Sequence, residues 1–253
     1  MKLYLLGVSI ALVLSGCGGG GSSDSGSGSG TDTNTEDTPT GQVSNSSACF
    51  NEDLYAVGTK VTEEYSEVLG NSQPVTESST TEITQITTYR GYANAIEETT
   101  QDGESTDNRT YIVVDTSAGT ITTIGQVLDN EEYTYRPSGL MIDYALDRGE
   151  KKTYSTVTQF VNNVQTDTMD YSMEFLRSEE VTVPAGTFEA CVMVLTFDVT
   201  TSEGVQSTTV FTQHLGVGNG ITLKETFETT QLNGTKTTGS EELLSATING
   251  KSI

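Results

Sequence analysis

Phe188-Glu189-Ala190-Cys191-Val192-Met193-Val194-Leu195-Thr196-Phe197-Asp198-Val199 is apolar on both faces of an extended chain. Read two residues at a time, Phe188, Ala190, Val192 and Val194 fall on one side, and Cys191, Met193, Leu195 and Phe197 on the other. Side chains of these types with a period of two suit a strand covered on both faces, so this run is expected to be the central strand of a sheet. Downstream, Ile221-Thr222-Leu223-Lys224-Glu225-Thr226-Phe227-Glu228 alternates. Ile221, Leu223 and Phe227 face one way, and Thr222, Lys224, Thr226 and Glu228 the other, which is the pattern of a half-buried antiparallel strand. Asn233-Gly234 then reads as a type I′ hairpin turn, and Asp102-Gly103, Ala118-Gly119 and Glu203-Gly204 punctuate the chain similarly.

The same alternation recurs over residues 55–69, 75–98 (bent or split at Gly91), 108–115, 120–128, 139–146, 153–163, 168–183, 187–200, 206–215, 220–231 and 236–248. No window carries a sustained helical stripe of apolar residues, and Thr is the commonest residue type. The expected fold is all-β: a large curved antiparallel sheet, half-barrel or barrel-like, with one concave face covered.

The chain of 253 residues carries 12 Lys and Arg against 35 Asp and Glu, a formal net charge of −23. A phosphate backbone is neutralised by clustered basic residues, so nucleic acid is excluded as a partner. With one His, zinc sites of the HExxH type and three-His metal centres are excluded within this chain.

The first residues carry Lys2 and then an apolar run, Leu3 to Leu14, too short for a membrane span of about 20 residues. This is an export signal. It ends in Leu14-Ser15-Gly16-Cys17, which resembles the lipobox of bacterial lipoproteins. The resemblance implies cleavage after residue 16 and lipidation of Cys17, fixing the protein to a membrane through its acyl chains. Gly18, where an Asp would favour retention at the inner membrane, implies the outer membrane; the periplasmic face is the expected side, with exposure at the cell surface left open. Residues 18–47 are Gly, Ser, Thr, Asp and Asn with almost nothing apolar and no basic residue, too polar to fold, and so a disordered tether. The expected organisation is therefore a signal peptide over 1–16, a lipidated Cys and tether over 17–47, and one β-rich envelope domain over 48–253.

Within that domain, Val181-Thr182-Val183-Pro184-Ala185-Gly186-Thr187-Phe188-Glu189-Ala190, followed by Gly216-Val217-Gly218 and a strand containing Lys224-Glu225, resembles the "VPAGTF … GVG" signature of bacterial envelope β-proteins of unknown function. Many of these are lipoproteins, similar in outline to the half-barrel sheets of lipoprotein carriers. The motif marks a hairpin: Pro184 presets φ at the first corner and Gly186 relaxes the exit. The resemblance implies a fold and no active site.

With Cys17 lipidated, Cys49 and Cys191 remain, an even number in an oxidising compartment, and are expected to pair. The alternative is a buried Cys191 acting as a small hydrophobe and an exposed Cys49. His214 lies before a Gly-rich turn without a G-x-S-x-G elbow anywhere, and reads as structural or superficial. Asp102, Glu104, Asp107 and Asn108 place four oxygen donors around Gly103, a weak calcium candidate whose spacing matches no EF-hand and whose alternative is a solvated hairpin tip. Tyr133, Tyr135, Tyr144, Tyr154 and Tyr171 read as core or rim, or as the lining of a groove. Glycoside hydrolysis needs two carboxylates at a set distance, and with 35 available the count identifies none. Three functions stay open: a non-catalytic lipoprotein that supports the envelope or binds another component of it; a carrier of a lipid or other apolar ligand on a concave sheet; and a hydrolase. No cofactor is expected, and neither ligand identity nor oligomeric state can be read.

Overall fold

The computed structural model describes residues 43–102 and 105–253. The signal segment, Cys17 and most of the expected tether lie outside the described residues. Among those described, the chain forms β1 (Lys60–Leu69), β2 (Val75–Tyr89), β3 (Tyr92–Asp102), β4 (Ser105–Asp115), β5 (Thr120–Leu128), β6 (Glu131–Arg136), β7 (Leu140–Asp143), β8 (Lys151–Thr153), β9 (Val157–Val161), β10 (Val164–Val183), β11 (Gly186–Thr201), β12 (Gln206–Gly216), β13 (Thr222–Gln231), β14 (Lys236–Ile248) and β15 (Lys251–Ser252). Two single-turn 3₁₀ helices precede them, Ser46–Cys49 and Glu52–Tyr55.

Each strand pairs antiparallel with its neighbour in the order β1-β2-β3-β4-β5-β6-β9-β10-β11-β12-β13-β14, and β14 pairs back onto β1. The sheet is thus a closed ring, which removes both free edges. β10 and β11, of 20 and 16 residues, form the longest pair, and β11 lies between β10 and β12 inside the sheet as its double-sided apolar pattern requires.

The ring is uneven. β6 and β9 occupy only half the length of the strands beside them, and in the other half β7 adds to β5 and β8 to β10. β7 and β8 do not pair with each other, and tyrosines bridge the seam. The Met141 N–H donates to the Tyr171 hydroxyl and the Asp143 N–H to that of Tyr154, each at 2.9 Å.

An eight-stranded barrel is just filled by its own side chains, and a wider ring has space left over. Here one end is stoppered. The β10–β11 hairpin bends across it until the Ala185 N–H donates to the Leu243 carbonyl on β14 at 3.1 Å, and Val183, Ala185 and Phe188 join the core. Val217 donates to the Glu189 carbonyl, and Gly218 to that of Ala48 on the first 3₁₀ turn. Both halves of the sequence motif therefore meet at this closed end. Cys49 and Cys191 are joined there by a disulfide, 1% and 0% exposed, beside Leu54, Val61, Leu215, Ile221 and Leu223. The chain is held to the body from Val43 onward: its N–H donates to Ser178, and buried Ser46 donates to the Tyr144 carbonyl and accepts from the Leu146 N–H. The expected boundary at residue 48 thus falls inside a segment already packed.

Alternation along β11 fixes inside and outside. Cys191, Met193, Leu195 and Phe197 face the lumen, together with Met169, Tyr171, Met173 and Phe175 of β10. Val192, although 1% exposed, is turned outward beneath Arg177 and His214, its register partners. Two-residue turns with both φ positive, the type I′ geometry, occur at Arg90-Gly91, Asp129-Asn130, Asn162-Asn163 and Asn249-Gly250. Asn233-Gly234 is a correction: only Gly234 has positive φ, and its N–H closes on the Gln231 carbonyl, so a type I turn with a following left-handed glycine joins β13 to β14.

Candidate functional site

The side of the lumen formed by β12, β13, β14 and β1 has a different lining from the β10–β11 side. Here the lumen-facing residues are polar and less covered: Glu67 and Glu77 are exposed, and Phe211, Glu225, Phe227 and Glu241 are partly buried. Cross-strand register sets Gln213, Glu225, Glu241 and Glu67 side by side on β12, β13, β14 and β1. Directly opposed residues on adjacent strands stand about 5 Å apart at Cβ, so this row brings like charges close together.

Deeper in the lumen are Glu63 on β1 and Glu98 on β3, 7% and 5% exposed. Burial pushes Glu63 up to about 7, and the Tyr65 hydroxyl only partly opposes it. Burial, with repulsion from Glu63, pushes Glu98 up to about 8. In the outer row, burial raises Glu225 to about 7, against a hydrogen bond from Gln213, and raises Glu241 to about 8 with the help of Glu225, Glu67 and Glu63.

Among the described residues no salt bridge reaches them. Lys224 pairs with Glu242, Lys236 with Glu228, Lys60 with Glu82 and Arg177 with Glu179 at outward positions of the register, and Arg90 in the β2–β3 turn pairs with Glu132. The Gln213 amide donates to Glu225 Oε2 at 2.5 Å, while its own Oε1 has no partner although the residue is 2% exposed. Among the described residues no three His, Cys, Asp or Glu side chains converge closely enough to hold a metal ion. The carboxylates form a row along the wall, with no focus.

A run of rings crosses the lumen beside this row. Tyr171 stacks on Phe197 at 5.6 Å between centroids, Phe197 meets Phe211 edge-on at 6.0 Å, and Phe211 lies 5.9 Å from Phe227. Phe227 lies over Gly239 on β14, where a Cβ would stand 2.3 Å from its ring. A glycine at that place lets the ring lie flat along the wall toward Glu241.

The residues singled out from the sequence fall elsewhere. His214 is on the outer face with Nε2 3.1 Å from Glu179 Oε1, and its Nδ1 is buried without a partner. Burial would raise Glu179, but hydrogen bonds from Arg177 and His214 outweigh it and hold that carboxyl below its ordinary range. Asn108 donates to Asp102 at 3.3 Å across the β3–β4 hairpin, while Glu104 and the side chain of Asp107 lie outside the described residues. Tyr135, Tyr144, Tyr154 and Tyr171 are buried in the core. A shallow depression of about 490 Å³ lies at the closed end between Phe50, Glu52, Asp53, Thr116, Tyr144 and Gly218.

The lumen carboxylates carried a signal that composition could not give. Glu225 sits between Leu223 and Phe227 on the inward face of its strand, and Glu63 between Val61 and Tyr65. A charged residue at an apolar phase marks the site.

No protein-family model matches the chain, and no curated protein does. Three solved structures resemble it. One is a candidate lipoprotein of Parabacteroides distasonis, at 10% identity and a TM-score of 0.40, covering 76% of this chain and 96% of that one. Another is a candidate exported protein with YmcC-like fold from Bacteroides fragilis, at 11% and 0.44 over the same shares. The third is the hypothetical lipoprotein YmcC of Escherichia coli, at 12% and 0.37, covering 76% of this chain and 87% of that one. Identities and scores this low carry no statement about what this chain binds.

Proposed function

We propose that the chain is a lipid-anchored protein of the bacterial envelope, held through Cys17 at the periplasmic face of the outer membrane, whose closed β-ring is a non-catalytic binding body. The observation that carries this reading is Leu14-Ser15-Gly16-Cys17 directly behind the short apolar run. The Cys49–Cys191 disulfide supports export, because such bonds persist in oxidising compartments. Gly18 supports the outer over the inner membrane. A ring stoppered at one end, with a row of carboxyls and one unpartnered amide oxygen along its lumen, supports binding over scaffolding.

Carriage of a wholly apolar cargo has less behind it. The β10–β11 side of the lumen is filled by Met169, Met173, Phe175, Met193 and Leu195, each nearly fully buried, and the side formed by β12 to β1 is acidic. Labelling cells with radioactive palmitate is the test. Label should enter the wild-type protein, disappear in Cys17→Ser, and follow outer-membrane fractions; a soluble, unlabelled wild-type protein would refute the anchor.

A further inference from the structure

We infer that the acidic side of the lumen binds an organic cation, an ammonium group on an apolar body, with Glu225, Glu241 and Gln213 taking the ammonium group and the neighbouring rings of Phe211 and Phe227 taking the apolar body. The inference deepens the binding reading above and rests on it.

The first ground is the one-sidedness of the wall. Glu225, Glu241 and Glu67 offer only acceptors when ionised, and the single donor among them, the Gln213 amide, is already used by Glu225. That leaves Gln213 Oε1, buried and without a partner; once the neighbouring carboxyls have released their protons, this is costly unless a donor arrives from outside the chain. The basic residues that could supply one are engaged on the outer face and, for Arg90, in the β2–β3 turn. A guest with N–H groups satisfies the amide oxygen and screens the repulsion along the row in one step.

The second ground separates an organic cation from a metal ion. Calcium takes six to eight oxygens converging at about 2.3–2.6 Å. Here the donors run along three adjacent strands and no three acidic groups converge. A row suits a ligand with length. The half-covered faces of Phe211 and Phe227 beside it attract a cation through the ring quadrupole and accept hydrocarbon equally well.

The test uses the full chain in a non-ionic detergent and benzylammonium as probe, titrated calorimetrically at pH 8. Saturable binding is expected, and benzyl alcohol, the neutral analogue, should not bind. Glu225→Gln with Glu241→Gln should weaken benzylammonium at least tenfold, while Glu228→Gln on the outer face should leave it unchanged. Phe227→Leu, which keeps an apolar side chain but removes the π face, should weaken it about threefold and provides a second reading should the double variant fold poorly. Absence of saturable binding, equal binding of benzyl alcohol, indifference to both sets of lumen variants, or displacement by equimolar calcium would each overturn the inference. An acylated protein that takes no probe fails here alone, and an unacylated one that takes it fails the anchor alone.

Discussion

The Tyr65 hydroxyl stands 2.9 Å from Glu63 Oε1 and 2.8 Å from the Thr222 carbonyl, so one phenolic proton faces two acceptors. The carbonyl can only accept. Every group is satisfied if Glu63 keeps its own proton and donates it to Tyr65, which in turn donates to Thr222. This geometry points the same way as the burial that pushes Glu63 up to about 7.

The pH dependence follows with a definite sign. Glu63, Glu98, Glu225 and Glu241 hold their protons in the folded ring up to about 7, 8, 7 and 8, whereas an unfolded carboxyl releases its proton near 4.5. Between those limits the folded state binds more protons than the unfolded one, so stability falls as pH rises. The thermal midpoint should decline from pH 5 to pH 8.5. Glu63→Gln keeps a donor toward Tyr65 and removes one titration, so it should raise the midpoint at pH 8.5, adding on the order of 3 kcal/mol of stability there, and change little at pH 5. Calorimetric scans at the two pH values decide it; an equal shift at both would sink the assignment of the proton to Glu63.

Loss of the disulfide should be felt first at the stopper. Cys49 and Cys191 are separated by 142 residues, and closing a loop of that length is worth about 5 kcal/mol in the chain-entropy account. The paired change Cys49→Ala and Cys191→Ala should therefore lower the guanidinium midpoint substantially. In hydrogen exchange, Gly218, whose N–H reaches the Ala48 carbonyl, should lose protection before Val194 in mid-sheet. An unchanged midpoint would mean that the 3₁₀ turn holds the closed end without the covalent bond.

Local patterns gave most strands away, including the division at Gly91, because hairpins are written in neighbouring residues. β6 escaped because the turn that opens it, Asp129-Asn130, reaches positive φ without glycine. A barrel-like sheet was expected from the strand count, but which strands close the ring was not legible. β1 and β14 meet across nearly the whole domain, Val61 opposite Ile248, and no short-range pattern records such a pairing. The register also shifts between Glu64 and Tyr65, where the β14 partner moves from Ser245 to Leu243, so a strict period of two misplaces side chains beyond it. Glu241 was hidden in that way, while Glu225 was visible at an inward phase.

The seam between β7 and β10 rests on hydroxyl groups. The Met141 and Asp143 N–H groups have the hydroxyls of Tyr171 and Tyr154 as acceptors, and both tyrosines are buried in a stacked pair with centroids 4.7 Å apart. Tyr171→Phe or Tyr154→Phe keeps the ring and strands one N–H. Each should cost about 1–3 kcal/mol, the penalty of a buried donor left unpaired. Urea denaturation reads this directly, and two neutral variants would mean that the seam admits water.

Val192 offers a contest between two effects. It is 1% exposed on the outer face, with Arg177 and His214 as register partners. Val192→Asp removes a buried side chain worth about 1.5–3 kcal/mol and adds the desolvation of a carboxylate. It also places a negative charge near Arg177, whose side chain is 44% exposed, and a pair that exposed returns no more than about 1 kcal/mol. Destabilisation therefore wins, by several kcal/mol. Val192→Lys loses the same burial and gains repulsion from Arg177, so it should be the worse of the two. Denaturant midpoints that rank Asp below Lys would mean that the repulsion from Glu179, paired with both Arg177 and His214, outweighs the attraction of the guanidinium.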